Sequence, residues 1–408
     1  MAELIHHHTF ANGLTLLAER MPHVRSVSMN LSVRAGAAHD PDDRLGMASV
    51  LGELVMRGAG ERDFHQLQLA LDNLGLDYDH GVGPQTIRFS GSTLGRNLPS
   101  VLPIYADLMR RAHLPEAELP AVRSLALQDL HALEDEPRTL TLIELRKRNY
   151  PGPVGRDSHG TVEGIEALTI DELRAHYRRY FTPQDTILSI AGDIDWPRLR
   201  DQVGECFGDW TGEAVPLLDA PRPSPSYTHI DKPGQQTHLA LACESVPITH
   251  PDYYLARAAV SILSDGMSAR LFTEVREKRG LCYAVYATHE MTKQRGCVLA
   301  YAACLSGRAA QTLEVTLHEL QRLAAGIEAD EVQRVQVGLK SALIMHQEST
   351  AARAAWLSAD WFSLGRVRTI AEVEAAVEAL TAAAILDHLH RHPYQDFTIV
   401  TLGPEPVR

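Results

Sequence analysis

The 408-residue sequence contains no apolar run that approaches the ~18 residues a membrane-spanning helix needs. Cysteine is scarce: the five cysteines are odd in number and include no Cys-x-x-Cys pair. They therefore predict buried free thiols in a reducing compartment rather than a disulfide framework. Positive charge is also in the minority, with 39 Lys and Arg against 52 Asp and Glu. The formal net charge of −13 argues against nucleic acid or an anionic membrane as the main partner.

The N-terminal stretch MAELIHHHTFANGLTLLAER has no apolar segment of the kind that forms the core of a secretory signal peptide. The expected location is therefore the cytoplasm, or the periplasm if a leader has been removed. Three adjacent histidines, His6, His7 and His8, alternate between two faces if this stretch is a strand. They are not expected to bind one metal ion together.

A proline-rich stretch divides the chain. PLLDAPRPSPSY, residues 216–227, contains four Pro and two Ser and is predicted to be a linker. It separates a first domain, residues 1–215, from a second domain, residues 228–408. Hydrophobic residues make up 45% of the sequence, which is ample for a packed core in each domain.

The two parts repeat one order of elements. Each opens with short strands, continues with an apolar helix (DDRLGMASVLGELVMRG or DYYLARAAVSILS), and closes with long helices followed by a last apolar strand. This order predicts an α+β fold. We expect two homologous domains related by internal duplication, each with an antiparallel-rich sheet covered by helices.

The most specific motif is GMSARLFTEVREKRGLCYAVYA, residues 266–287. It resembles a run in the pitrilysin/insulinase family of zinc metallopeptidases, in the branch that includes the mitochondrial processing peptidase. The opening FANGLTLLAE and the stretch from LEDEPRTLTL to LSIAGDID are similar to the same family, so the likeness covers nearly the whole chain. The resemblance implies two homologous domains that face each other across a cleft.

Catalysis in that family requires His-x-x-Glu-His on the first long helix: the two His bind zinc and the Glu activates the zinc-bound water. A third, acidic ligand follows on a later helix. In this sequence the motif falls on GMASVLGELVMRGAG, residues 46–60, and its three working positions are Ser49, Gly52 and Glu53. The third ligand falls at Asp129. His-x-x-Glu-His occurs nowhere else in the sequence, so we expect no metal cofactor in this chain.

Glu53 and Asp129 are then expected to be solvated or salt-bridged acids, or alternatively a low-affinity divalent site. His65 and His80 flank the next predicted helix without an acidic partner at helical spacing. They are interpreted as surface or loop histidines.

The second half keeps a pair that the family uses. The resemblance places at Arg276 and Tyr283 an Arg and a Tyr that hold the substrate backbone and help to stabilise the tetrahedral intermediate. The residues themselves predict a helix end with Gly280 as a left-handed stop, then a strand with Leu281, Tyr283 and Val285 on one face. Taken alone, Arg276 also fits a solvated helix end and Tyr283 fits core packing.

The leading hypothesis is a non-catalytic, substrate-binding subunit of a heterodimeric zinc metallopeptidase. It would be inactive alone and would lend Arg276 and Tyr283 in trans to a homologous zinc-bearing partner that cleaves an extended peptide. The alternative is a proteolytically silent binding or scaffold subunit of a larger complex, since core subunits of a respiratory complex are relatives without peptidase work. A third hypothesis is a weakly active homodimer with a rebuilt metal site.

Overall fold

A computed structural model describes residues 5–407; Met1–Leu4, which belong to the stretch used above for the expected location, lie outside the described residues. Over that range the strands are β1 (Ile5–Thr9), β2 (Thr15–Arg20), β3 (Ser26–Val33), β4 (Gly58–Ala59), β5 (Arg62–Asp63), β6 (Asp77–Val82), β7 (Ile87–Leu94), β8 (Ile187–Gly192), β9 (Ser226–Asp231), β10 (Gln236–Ser245), β11 (Cys282–Met291), β12 (Gly296–Leu305) and β13 (Thr398–Gly403).

The α-helices of the same range are α1 (Met47–Val55), α2 (Phe64–Asn73), α3 (Leu98–Arg110), α4 (Leu119–Ala132), α5 (Pro137–Asn149), α6 (Val162–Glu166), α7 (Ile170–Tyr180), α8 (Trp196–Phe207), α9 (Tyr253–Ser264), α10 (Ala309–Arg322), α11 (Ala329–Gln347), α12 (Thr350–Leu364), α13 (Ile370–Glu378) and α14 (Ala382–Arg391). Local sequence sets several helix starts. At α7, for example, Thr169 and Glu172 form a reciprocal capping box. No helix in the described range combines the length and apolarity needed to cross a membrane.

The chain folds as two compact units that do not follow a single cut. The first unit contains the chain up to Ala132, Gly152–Ala220 and His346–Phe362. The second contains Leu133–Pro151, Pro221–Met345 and the chain from Ser363. This division differs from the sequence-based partition at two segments: α5 belongs to the second unit, and most of α12 belongs to the first.

The predicted linker is also partly structured. The N–H of Leu218 donates to Gln85 Oε1, and its carbonyl accepts from Gln85 Nε2, both at 3.0 Å. Its last two residues, Ser226 and Tyr227, begin β9. The stretch is therefore held to the first unit at one end and enters the second sheet at the other.

The first unit is built on a six-stranded sheet in the order β1-β2-β8-β3-β7-β6, in which only β2 and β8 run parallel. Alternate residues of its strands, such as Leu31, join α1 and α3 in one apolar cluster. The opposite face receives α12. There the Ser189 hydroxyl donates to the Ala354 carbonyl at 2.7 Å, and Ser28 bonds the Thr350 hydroxyl at 2.8 Å.

The second unit repeats this design with five strands in the order β9-β13-β10-β12-β11, where only β9 and β13 run parallel. Leu239 and Leu241 of β10 face the main apolar cluster with α9. The alternate residues Ala240 and Ala242 pack with Leu145 of α5 on the other face. The matched strand orders confirm the predicted α+β duplication, with β1 as an addition in the first unit.

Two buried histidines in the first unit give stability a pH dependence. His39 and His176 both contact Tyr180, with ring centroids 5.0 Å and 4.3 Å from the centroid of its ring. Burial lowers the pKa of each to about 4. Between pH 4 and 6.5 the unfolded chain therefore binds more protons at these sites than the folded chain, and the two histidines make stability rise with pH. Burial raises the pKa of Asp40 to about 7, which acts in the opposite direction.

The substitution His176→Phe isolates one of these contributions. We expect it to flatten the rise in unfolding free energy between pH 4.5 and 6 by up to ~1.4 kcal/mol per pH unit, the value for one proton. Denaturant titrations at the two pH values measure it, with His131→Phe, at an exposed histidine of α4, as the control. An unchanged slope in His176→Phe would contradict the assignment.

Candidate functional site

The first turn of α1 is capped by a carboxylate that precedes the helix in the chain. Asp40 accepts the N–H of Gly46 at Oδ2 and the N–H of Ala48 at Oδ1, each at 2.9 Å. Gly46 has φ +100°, and a Cβ there would lie 2.8 Å from Ile165 Cγ1, so glycine is required. The helix is thereby fixed at its N-terminal end and buried along most of its length.

None of the three working positions of α1 offers a free ligand to a metal ion: two side chains are engaged in other contacts, and the third position is a glycine. The Ser49 hydroxyl donates to the Ser158 carbonyl at 2.6 Å. Gly52 has no side chain, and a Cβ built on it would lie 3.2 Å from His80 Cδ2. The Glu53 carboxylate accepts from Arg57 Nη2 at 2.6 Å and from Arg57 Nε at 3.1 Å.

The cation that neutralises the Glu53 carboxylate is the guanidinium of Arg57. Besides Glu53, Arg57 approaches Glu118 at 3.6 Å, and its Cζ lies 4.6 Å from the Phe64 ring centroid. Glu53 is thus salt-bridged, one of the two alternatives expected for it. A hydroxyl that donates to a carbonyl, a glycine and an ion-paired carboxylate do not fit a catalytic zinc ion, which needs three good ligands.

His80 lies in β6 rather than in a loop, and it has an acidic partner after all. Its Nε2 is 3.6 Å from Glu53 Oε2, and its side chain is 24% exposed. Helical spacing could not reveal this pair, because His80 lies 27 residues after Glu53 and reaches α1 only through the position of β6. His65 is exposed on α2, as predicted.

Asp129, the predicted position of the third ligand, is exposed on α4. It acts on His159, whose pKa is raised mainly by the hydrogen bond to Asp157, opposed by burial and helped by the charges of Asp157 and Asp129. Within residues 5–407, only one group of three potential metal ligands has one donor atom per residue within 4.8 Å of the others. That group includes neither Glu53 nor Asp129.

Arg276 and Tyr283 lie close together in the second unit. Arg276 is in a π-helical segment, Phe272–Glu277. Three residues after its end, Gly280 adopts φ +57° and donates its N–H to the Arg276 carbonyl. The prediction of a left-handed stop at Gly280 is confirmed. Such π-helical turns occur frequently at functional sites.

Tyr283 sits in a β-bulge. Cys282 pairs with Cys304 and Ala284 pairs with Ala303, so Tyr283 is the extra residue between them. The prediction that Leu281 and Tyr283 share a face is wrong, since Leu281 is buried and Tyr283 is 82% exposed. The bulge turns the tyrosine outward, and this exposure excludes core packing as its role.

The two side chains are pre-arranged by stacking. The guanidinium carbon of Arg276 is 4.8 Å from the Phe272 ring centroid and 5.3 Å from the Tyr283 ring centroid. In contact with both rings, the guanidinium offers a planar fork of N–H donors, and the phenol of Tyr283 carries an O–H donor. The arrangement can bind a carbonyl oxygen or a developing oxyanion.

The roles of three residues were not predicted from the sequence: Asp40 caps α1, Arg57 pairs with Glu53, and His80 approaches Glu53 from β6. The dipeptide Asp40–Pro41 is a turn signal that could have drawn attention to the first of them. The contact of His80 with α1 depends on strand placement and has no local signal.

Two family models match this chain. Insulinase (peptidase family M16) matches residues 15–158, and the peptidase M16 inactive domain matches residues 167–339. The first match contains α1, and the second contains Arg276 and Tyr283.

Curated relatives and solved structures agree. An uncharacterized zinc protease of Rickettsia bellii is 24% identical, covering 96% of both chains, and the uncharacterized zinc protease YmxG of Bacillus subtilis is 23% identical, covering 98% of both. A peptidase M16 inactive domain structure from Pseudomonas fluorescens (20% identity) superposes with a TM-score of 0.88 over 99% of this chain and 98% of that one. A protease from Helicobacter pylori (16%) superposes with 0.89 over 98% and 100%. This chain belongs to the insulinase family of peptidases, M16.

Proposed function

We propose that this chain is the substrate-binding subunit, without a catalytic zinc on α1, of a two-chain zinc metallopeptidase. One observation carries the proposal: Arg276 and Tyr283 are exposed and lie together in a chain whose α1 has Ser49 and Glu53 at the two zinc-ligand positions and Gly52 at the position of the water-activating Glu. Relatives such as YmxG of Bacillus subtilis are named as zinc proteases, which supports a peptidase context.

The proposed task of the pair is to bind and orient. The Arg276 guanidinium donates N–H groups to the carbonyls of an extended peptide, and the Tyr283 hydroxyl donates to the oxygen that gains negative charge as the peptide bond is attacked. Donors already fixed by stacking need little reorganisation at that moment, which makes them more effective. The hydrolytic machinery itself belongs to the zinc-bearing partner.

The test is peptide hydrolysis by this chain alone, by a homologous chain with an intact His-x-x-Glu-His, and by their mixture. We expect no turnover by this chain alone and more turnover by the mixture than by the homologue alone. Turnover by this chain alone would overturn the proposal. A stable complex whose turnover equals that of the homologue alone would favour a silent scaffold subunit instead.

A further inference from the structure

A histidine-rich group lies at the C-terminal end of α14, far in sequence from the positions discussed above. The stretch HLHRH, residues 388–392, places His388 and His392 four residues apart, so they share one face of the helix end. Their ring centroids are 4.9 Å apart. Asp252, just before α9, completes a group in which one donor atom per residue lies within 4.8 Å of the others.

His388 is the buried member of this group and is not fully satisfied. Its side chain is 0% exposed, and its Nδ1 lies 3.1 Å from Asp252 Oδ2. Its Nε2 is buried and has no hydrogen-bond partner within residues 5–407. A buried polar atom without a partner costs free energy, so the geometry leaves one ring nitrogen that a ligand would satisfy.

We propose that His388, His392 and Asp252 bind a divalent transition-metal ion of the zinc type. Two imidazoles and a carboxylate are a common set of zinc ligands, and imidazole disfavours calcium and magnesium. Asp252 serves either as a direct ligand or as the acceptor of the His388 Nδ1–H while Nε2 binds the ion, a frequent outer-shell arrangement. The site lies in the second unit, whereas α1 lies in the first.

Two members of the group reach the surface. His392 is partly exposed, and the Asp252 side chain is 15% exposed. The His250 ring packs edge-on against His392, with centroids 5.4 Å apart. Because His250 Nδ1 accepts the Asp252 N–H, a further ligand of the ion would be either His250 Nε2 or a water molecule.

Arg391 is the group that opposes binding. Its Nη1 is 2.7 Å from Asp252 Oδ2, and it also pairs with Asp387 at 3.0 Å. The guanidinium is half exposed, so it can leave Asp252 and keep its second partner. A bound ion would link the end of α14 to the start of α9 and would stabilise the unit by mass action.

The test titrates zinc alone into the full chain, stripped of metal by a chelator, and measures stoichiometry by calorimetry. We expect one zinc per chain in wild type and in the control variant His390→Ala. His390 belongs to the same stretch but lies outside the group, and its Nε2 is 3.2 Å from the Ala324 carbonyl oxygen. We expect His392→Ala to lose this binding. The three N-terminal histidines are present in all variants, so they do not contribute to the difference.

Arg391→Gln keeps the proposal testable if His392→Ala does not fold. Because it removes the competing positive charge, it should bind zinc more tightly than wild type. Equal zinc binding in His392→Ala and His390→Ala, or less than one zinc in wild type, would overturn the proposal. Since His392 lies outside the Arg276–Tyr283 pair, His392→Ala should leave turnover of the mixed peptidase unchanged, which separates this test from that of the proposed function.

Discussion

Tyr283→Phe is expected to lower kcat of the mixed peptidase by ~10²-fold, the usual effect of removing one oxyanion donor. The substitution removes only the hydroxyl. The ring that stacks on Arg276 remains, so the bulge and the exposed position should persist. Steady-state hydrolysis of one peptide by the mixture, with the variant in place of wild type, gives the ratio.

A matched control lies at the opposite edge of the same sheet. Tyr227 on β9 is also an exposed tyrosine, and its hydroxyl bonds the Thr401 hydroxyl at 3.0 Å. Tyr227→Phe should leave kcat within about twofold of wild type, since it removes only the hydrogen bonds of that hydroxyl with Thr401 and with the Val407 N–H, at the other edge of the sheet. Equal kcat for both variants in an intact complex would remove Tyr283 from catalysis.

Arg353→Ala is expected to destabilise the protein by about 3–5 kcal/mol, the usual cost of removing one partner of a buried ion pair. Arg353 of α12 is fully buried, its Nε donates to Glu19 Oε2 of β2 at 2.7 Å, and its Cζ lies 4.5 Å from the Trp356 ring centroid. Denaturant unfolding at neutral pH measures the change.

The exposed pair of Arg366 and Glu372 supplies the comparison. Their atoms are 2.9 Å apart, but the side chains are 58% and 47% exposed. Arg366→Ala should therefore cost only about 0–1 kcal/mol. If Arg353→Ala proves as mild as Arg366→Ala, the buried pair does not hold α12 as inferred.

The duplication could be predicted because it depends on repeated element order and on apolar periodicity, which are local. The left-handed Gly280 was predictable for the same reason, since the absence of a side chain permits that backbone conformation. The orientation of Tyr283 was not predictable, because a strict two-residue alternation assumes a regular ladder and one inserted residue reverses it.

The contacts of the candidate site were harder to predict. His80 reaches α1 only through the placement of β6, and Asp40 caps α1 from outside the helix. The units to which α5 and α12 belong were not predicted from the sequence. The pattern of an amphipathic helix shows that it has an apolar face, but not which of two similar sheets that face covers. Such facts depend on long-range burial rather than on local sequence.

Because α5 belongs to the second unit and most of α12 to the first, each half of the chain supplies a helix to the unit built mainly by the other half. This arrangement affects how the chain folds. The sheet of the first unit needs α12, whose Thr350 bonds Ser28 across 322 positions of sequence. During synthesis the first 220 residues therefore emerge without the helix that covers one face of their sheet. We expect the two halves to become stable together in one cooperative step, and a protease cut within residues 221–225 to yield fragments that remain associated rather than independent domains.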